Sequence, residues 1–154
     1  MARAFHLEDG HPLNAAGEAA IVRAAAGEPL APTWIARIGQ RAVGYVIITL
    51  GYSIEYGGRD GFIDDLYLIP EVRGKGLGRK LLDFALSQAA QLGIGTLHLE
   101  VETSNEQATS LYRSAGFAAT RRSLMRVRIR HCVERTLPGD TAEFTPGRSS
   151  DILA

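Results

Sequence analysis

Leucine and alanine recur every four residues from Leu77 through Leu81, Ala85 and Ala89, with Leu82 and Leu86 widening the stripe and Gly93 closing it. That spacing keeps the apolar side chains on one face of a 3.6-residue repeat, so it predicts an amphipathic helix packed on a core. Upstream the period is two. Thr33–Ile38 (TWIARI) and residues 43–50 (VGYVIITL) are rich in β-branched and aromatic residues, and Gly39-Gln40-Arg41 between them suits a hairpin turn. Residues 62–69 (FIDDLYLI) predict a third strand, stopped by Pro70, after a turn carrying Gly57-Gly58 and Asp60-Gly61. Residues 96–102 (TLHLEVE) alternate and predict a fourth strand. Ser104 or Asn105 then opens a helix that Gly116 ends.

The flanks are less regular. Residues 2–7 read as a short strand followed by a turn, and Asn14 caps an Ala-rich helix ended by Gly27 and Pro29. Residues 123–130 (SLMRVRIR) alternate and predict a late strand. The Pro/Gly/Ser-rich remainder has no period, so residues 1–130 form the expected folded domain and 131–154 a flexible tail. Such a tail folds over the site, makes a homodimer contact or stays disordered, and its composition favours disorder. Hairpin strands followed by strand–helix–strand–helix–strand predict an α+β (mixed α/β) fold, a mixed sheet with helices on its faces.

Composition narrows the function classes. With 154 residues, 45% hydrophobic and 22% charged, the chain has an ordinary globular balance. Lys plus Arg number 17 and Asp plus Glu 17, a formal net charge of zero. A nucleic-acid binder usually carries a basic surplus, so no nucleic-acid partner is expected. Cys132 is the single cysteine, which excludes an intrachain disulfide and argues against a cysteine-built metal site. The first residues carry charges and a proline where a signal peptide has an apolar run, and no stretch approaches a membrane span. A cytoplasmic protein without metal or membrane is the expectation.

The segment richest in chemistry is LYLIPEVRGKGLGRKLL, with Gly74, Gly76 and Gly78 alternating between a strand and the strongest helix. Glycines let the backbone turn to positive φ and approach a ligand, and the helix aims its free N–H groups back at the loop. That arrangement suits a phosphate or pyrophosphate, with Arg73 and Lys75 adding charge. A bare glycine pattern serves equally well as a solvated turn. The Walker spacing is absent, and the G-x-G-x-G here is not the G-x-G-x-x-G of dinucleotide folds, although Glu100 lies about 20 residues on, where a ribose-binding acid stands in such folds.

Residues 73–78 (RGKGLG) resemble the [RQ]-x-x-G-x-[GA] acetyl-CoA signature of the GNAT superfamily of N-acetyltransferases. FIDDLYLIPE resembles that family's fourth strand, and VETSNEQATSLYRSAGF its Asn…Leu-Tyr…Gly-Phe segment. The three stand in the family's order over residues 33–130. The resemblance implies a GNAT-like central, mostly antiparallel sheet with helices on both faces and a shortened N-terminal helical region.

It further implies acetyl-CoA as co-substrate and direct attack by a primary amine in a ternary complex. The implied binding residues are Arg73, Gly74, Gly76 and Gly78, with Lys75, Leu77 and Arg79 through the backbone. Leu66, Tyr67 and Leu68 match the splayed strand that pairs with pantetheine. Asn105 matches a cofactor contact and serves equally as a helix N-cap. Tyr112 matches the general acid for the departing thiolate, or else packs beside Leu111. Asp65 leads the candidate bases, ahead of Asp64, Glu100 and Glu102. His98, Arg126, Arg128 and Arg130 read as ordinary strand residues, and Tyr45, Tyr52 and Tyr56 either line an acceptor pocket or pack on the sheet. Only about 32 residues precede the first family strand. This leaves the acceptor, a small-molecule or peptide amine, unspecified, and motivates an alternative: a CoA-binding sensor or interaction module without transfer activity.

Overall fold

The computed structural model describes residues 1–129. Met1–Ala119 form one compact unit, and residues 120–129 belong to a second. The first unit contains α1 (Ala2–Glu8), α2 (Ala15–Ala25), β1 (Thr33–Ile38), β2 (Arg41–Ser53), β3 (Gly58–Leu68), a 3-10 turn (Pro70–Val72), α3 (Leu77–Gln91), β4 (Thr96–Leu99) and α4 (Glu106–Ser114). The sheet order is β1-β2-β3-β4, antiparallel except for the parallel β3–β4 pair joined through α3. This is the mixed, mostly antiparallel sheet expected.

Helices cover both faces. Val46, Ile48, Ile63 and Leu68 pack on Leu81, Leu82, Ala85 and Ala89 of α3, with Leu111 and Tyr112 of α4 beside them. On the opposite face Tyr45, Ile47 and Tyr67 pack on Ala24 of α2 and on Ala2 and Phe5 of α1. β2 lies between these layers, which is why residues 43–48 are buried without a break.

A β-bulge in β3 decides which side chain enters which layer. Ile47 pairs with Asp65 and Ile48 with Ile63, leaving Asp64 as an extra residue. A one-residue insertion exchanges the faces of everything beyond it. Ile63, Leu66 and Leu68 thus meet the α3 layer, whereas Asp65 lies beside Tyr45 and Tyr67 joins the α1–α2 layer. The pairing of β3 with β4 covers only 60–63 against 96–99. Residues 64–68 pair with β2 alone, so among the described residues their other edge carries no strand. Gly44 faces this segment from β2, where an added Cβ would run into the Tyr67 carbonyl and the Leu68 side chain.

Three expectations change. Residues 2–7 form α1 and not a strand, because Ala, Arg and Leu favour a helix and Ala2 and Phe5, three apart, share the face turned to the sheet. The fourth strand ends at Leu99, short of Glu102, since β3 stops pairing with it at the bulge. Residues 123–129 carry no strand despite their alternation, for a strand exists only where another backbone completes the ladder. Arg130 and the 131–154 tail lie outside the described residues.

Leu82 is fully buried between α3 and the sheet. Leu82→Ala is expected to lower unfolding free energy by about 2–5 kcal/mol, read as a shifted midpoint in urea unfolding.

Candidate active site

Where β3 loses β4 as a neighbour, a cleft of about 480 Å³ opens. One wall is the end of β3 (Leu66, Tyr67, Leu68) and the start of α3 (Gly74, Gly76, Gly78, Arg79); α4 contributes Asn105, Leu111 and Tyr112, and α1 supplies Phe5, Glu8 and, at its C-cap, Asp9. The sequence reading and the cleft share ten residues: Leu66, Tyr67, Leu68, Arg73, Gly74, Gly76, Gly78, Arg79, Asn105 and Tyr112. Lys75 donates to the Glu71 carbonyl at 3.1 Å and, like Leu77, does not line the cleft.

The glycine loop takes its shape from backbone conformation. Gly74 and Gly76 stand at φ 71° and 77°, in the left-handed region that costs other residues free energy. A Cβ on either would meet nothing within 4 Å, so conformation and not crowding selects glycine. Gly76 is the N-cap of α3 and offers no side-chain cap, so the helix's first amides keep their donors without a capping oxygen. Gly78 differs: it lies inside α3 at ordinary φ, and a Cβ added there would make only van der Waals contacts with Leu111 and Leu68.

Arg73 is held from three sides. Its Nε donates to the Leu68 carbonyl at 2.8 Å, its Nη2 to Glu8 Oε2 at 2.8 Å, and the guanidinium lies 5.2 Å from the Tyr67 ring centroid. Tyr67 itself donates to Glu8 Oε1 at 3.3 Å. Asn105 caps α4 by accepting from the Ala108 amide at 3.0 Å, so it is the helix cap while also lining the cleft. Tyr112 packs edge-on against Phe117. Burial pushes its phenol above the usual range, and the Asp9 carboxylate adds to the shift. The hydroxyl therefore keeps its proton at neutral pH and is available as a donor.

Asp65 lies elsewhere. It is 2% exposed on the α1 side of the sheet and does not line the cleft. Tyr45 donates to its Oδ2 at 2.8 Å, and His6 Nε2 stands 3.3 Å from Oδ1. Burial raises its carboxyl, with Tyr45 and His6 opposing the rise. Asp64 is exposed at the bulge. His98, 3.6 Å from Asp60, stacks on Phe62 away from the cleft lining. Tyr45 is core, while Tyr52 and Tyr56 are exposed.

The α1 wall was not legible as a site: Phe5, Glu8 and Asp9 belong to no motif. Exposed His11 Nε2 lies 3.3 Å from Glu102 Oε1, and with Asp9 the ligand-type atoms of the group lie within 4.8 Å of one another. It is the one group of this kind among the described residues, and its His11–Glu102 contact ties the α1–α2 connection to the segment after β4. Among these residues no helix is long and apolar enough to cross a membrane.

Comparison with known proteins places these features in a family context. The family model described as Acetyltransferase (GNAT) family matches residues 3–117. Over 95 residues the chain is 33% identical to a thialysine N-epsilon-acetyltransferase of Bos taurus, covering 62% of this chain and 51% of that one. It is 35% identical over 97 residues to the peptidyl-lysine N-acetyltransferase YjaB of Escherichia coli, covering 62% and 55%. The chain thus spans about half the length of these relatives. An integron cassette protein from the mobile metagenome of Cole Harbour Salt Marsh superposes with a TM-score of 0.69 at 34% identity, over 82% of this chain and 79% of that one.

The two kinds of glycine in the loop separate by stability. Gly76→Ala is expected to cost about 1–2 kcal/mol, whereas Gly78→Ala should stay within about 1 kcal/mol of the parent. Urea midpoints for the two variants check this.

Proposed function

Because the chain belongs to the GNAT acetyltransferase family, we propose that it transfers the acetyl group of acetyl-CoA to a primary amine of lysine type. The observation that carries this is one cleft uniting an unpaired strand edge at Leu66, Tyr67 and Leu68, an uncapped helix start at Gly76 and a proton-holding Tyr112.

Each part suits a portion of the co-substrate. The first-turn amides of α3 and the positive end of its dipole suit the pyrophosphate, while Arg79 at the same edge is paired with Asp83 at 2.8 Å. Backbone groups of 66–68 not used by β2 suit the pantetheine amides, as in strand addition. The acceptor ammonium first gives one proton to water, its neutral nitrogen attacks the thioester carbonyl, the C–S bond breaks and the sulfur leaves as thiolate; the nitrogen's second proton passes through water to the phenolate that Tyr112 becomes. Tyr112 donates its proton to that sulfur, which a phenol held above its usual pKa does by staying protonated until charge develops.

The acceptor side rests on the α1 wall. Asp9 brings a carboxylate to the cleft, whereas Glu8 is bound by Arg73 and Tyr67, and the Asp9 charge favours a cationic ammonium over an acidic acceptor. Both lysine-directed relatives point the same way. Asp65, buried away from the cleft, serves the reaction through the groups it holds.

Incubation with acetyl-CoA and either thialysine, lysine or a lysine peptide should release free thiol above the rate of hydrolysis. Tyr112→Phe should lower kcat by about 10²-fold while leaving the acetyl-CoA Kd within about 3-fold of the parent. Tight acetyl-CoA binding with no amine-dependent thiol release would instead favour a CoA-binding module.

A further inference from the structure

α1 supplies Phe5, Glu8 and Asp9 to the cleft, yet little in its own sequence holds it there. It is seven residues long, has no buried residue and no side-chain cap at its N-terminus. A helix this short does not persist without tertiary contacts. Ala2 and Phe5 pack partly on the sheet, and the remaining ties are polar. Arg3 pairs with Glu18 at 2.6 Å, but the arginine side chain is 81% exposed, and exposed pairs contribute little. Glu8 pairs with Arg73 where both are half-exposed. The contact from His6 differs in kind, because it ends on Asp65, which is buried.

We propose that His6 is a positioning residue for the acetyl transfer: paired with Asp65, it fixes α1 and thereby the Phe5, Glu8 and Asp9 wall of the cleft. The inference about the reaction rests on the acetyltransferase reading; the docking of α1 does not. Asp65 follows the bulge residue Asp64, at the point where β3 parts from β4, so the latch grips the sheet where the cleft begins. Tyr45 donates to the second carboxylate oxygen and orients the first toward His6. A buried carboxylate deprived of its partner is strongly unfavourable, so losing His6 disturbs the whole set.

Three variants test this, each first shown to be folded by its urea midpoint. In His6→Leu, amide hydrogen exchange across residues 2–9 should speed by about 10-fold or more, while α3 is unchanged. The acceptor KM should rise about 10-fold with kcat within about 3-fold, the pattern of a lost binding wall. His6→Gln, which still donates to Asp65, should restore most of the KM. Asp65→Asn, which weakens the pair from its other side, should speed exchange across residues 2–9 as His6→Leu does. Unchanged exchange and unchanged KM in His6→Leu would overturn the proposal. So would a 100-fold fall in kcat at constant KM, which would make His6 a catalytic residue. If the parent shows no turnover, the acetyltransferase reading fails, and the exchange measurement still decides the latch.

Discussion

The cleft depends on a single extra residue in a strand. Asp64 has no opposite number on β2, and from that point β3 presents the reverse alternation and no longer keeps β4 as a neighbour. A regular ladder would have continued the pairing, leaving no free edge for a ligand. It would also have turned Asp65 toward the apolar α3 layer, where a carboxylate has no partners. One insertion thus separates two kinds of surface, an apolar seam under α3 and a polar, hydrogen-bonded layer under α1. The binding groups stand at the boundary between them.

Burial acts on two acidic groups here with different results. Tyr112 and Asp65 are both shifted upward by loss of water. For the phenol this extends the range in which it is a proton donor, and it does so inside the cleft. For the carboxyl the shift is opposed by Tyr45 and His6, and the group stands behind the cleft wall. Equal physical causes therefore support unlike roles, decided by place: α4 brings Tyr112 to the cleft, whereas the bulge in β3 turns Asp65 under α1.

Much of this was legible in the sequence. The Leu77–Gln91 helix announces itself through its four-residue stripe, β1 through its β-branched residues, and the cleft's α3 side through glycines whose positive φ only the local backbone requires. These are local signals, and local signals survive in a string of letters. What was hidden is relational. Residues 2–7 are too few to declare a period, and the sheet face against which Ala2 and Phe5 pack adds to their helix propensity to make them a helix. The alternation of 123–129 lacks a partner among the described residues, and 100–102 lost theirs to the bulge. Asp65 looked like a base beside the ligand because its neighbours in sequence line the cleft, but the bulge at Asp64 turns it under α1, where it is buried beside Tyr45 and His6. His6 lies 59 positions from Asp65 and carries no motif.

Gly44 sets a boundary on how such a cleft can change. Because a side chain there would strike the Tyr67 carbonyl and Leu68, the position of the ligand-facing edge is governed from the interior strand behind it. The two halves of the cleft thus have separate tolerances. The strand edge at the cleft is locked by a close-packed sheet, whereas the opposing wall hangs on a seven-residue helix with no buried residue. Substitutions accumulating in that helix can reshape its wall without disturbing the strand behind. On the acetyltransferase function proposed above, a fold divided in this way is free to diversify its acceptors while keeping one donor.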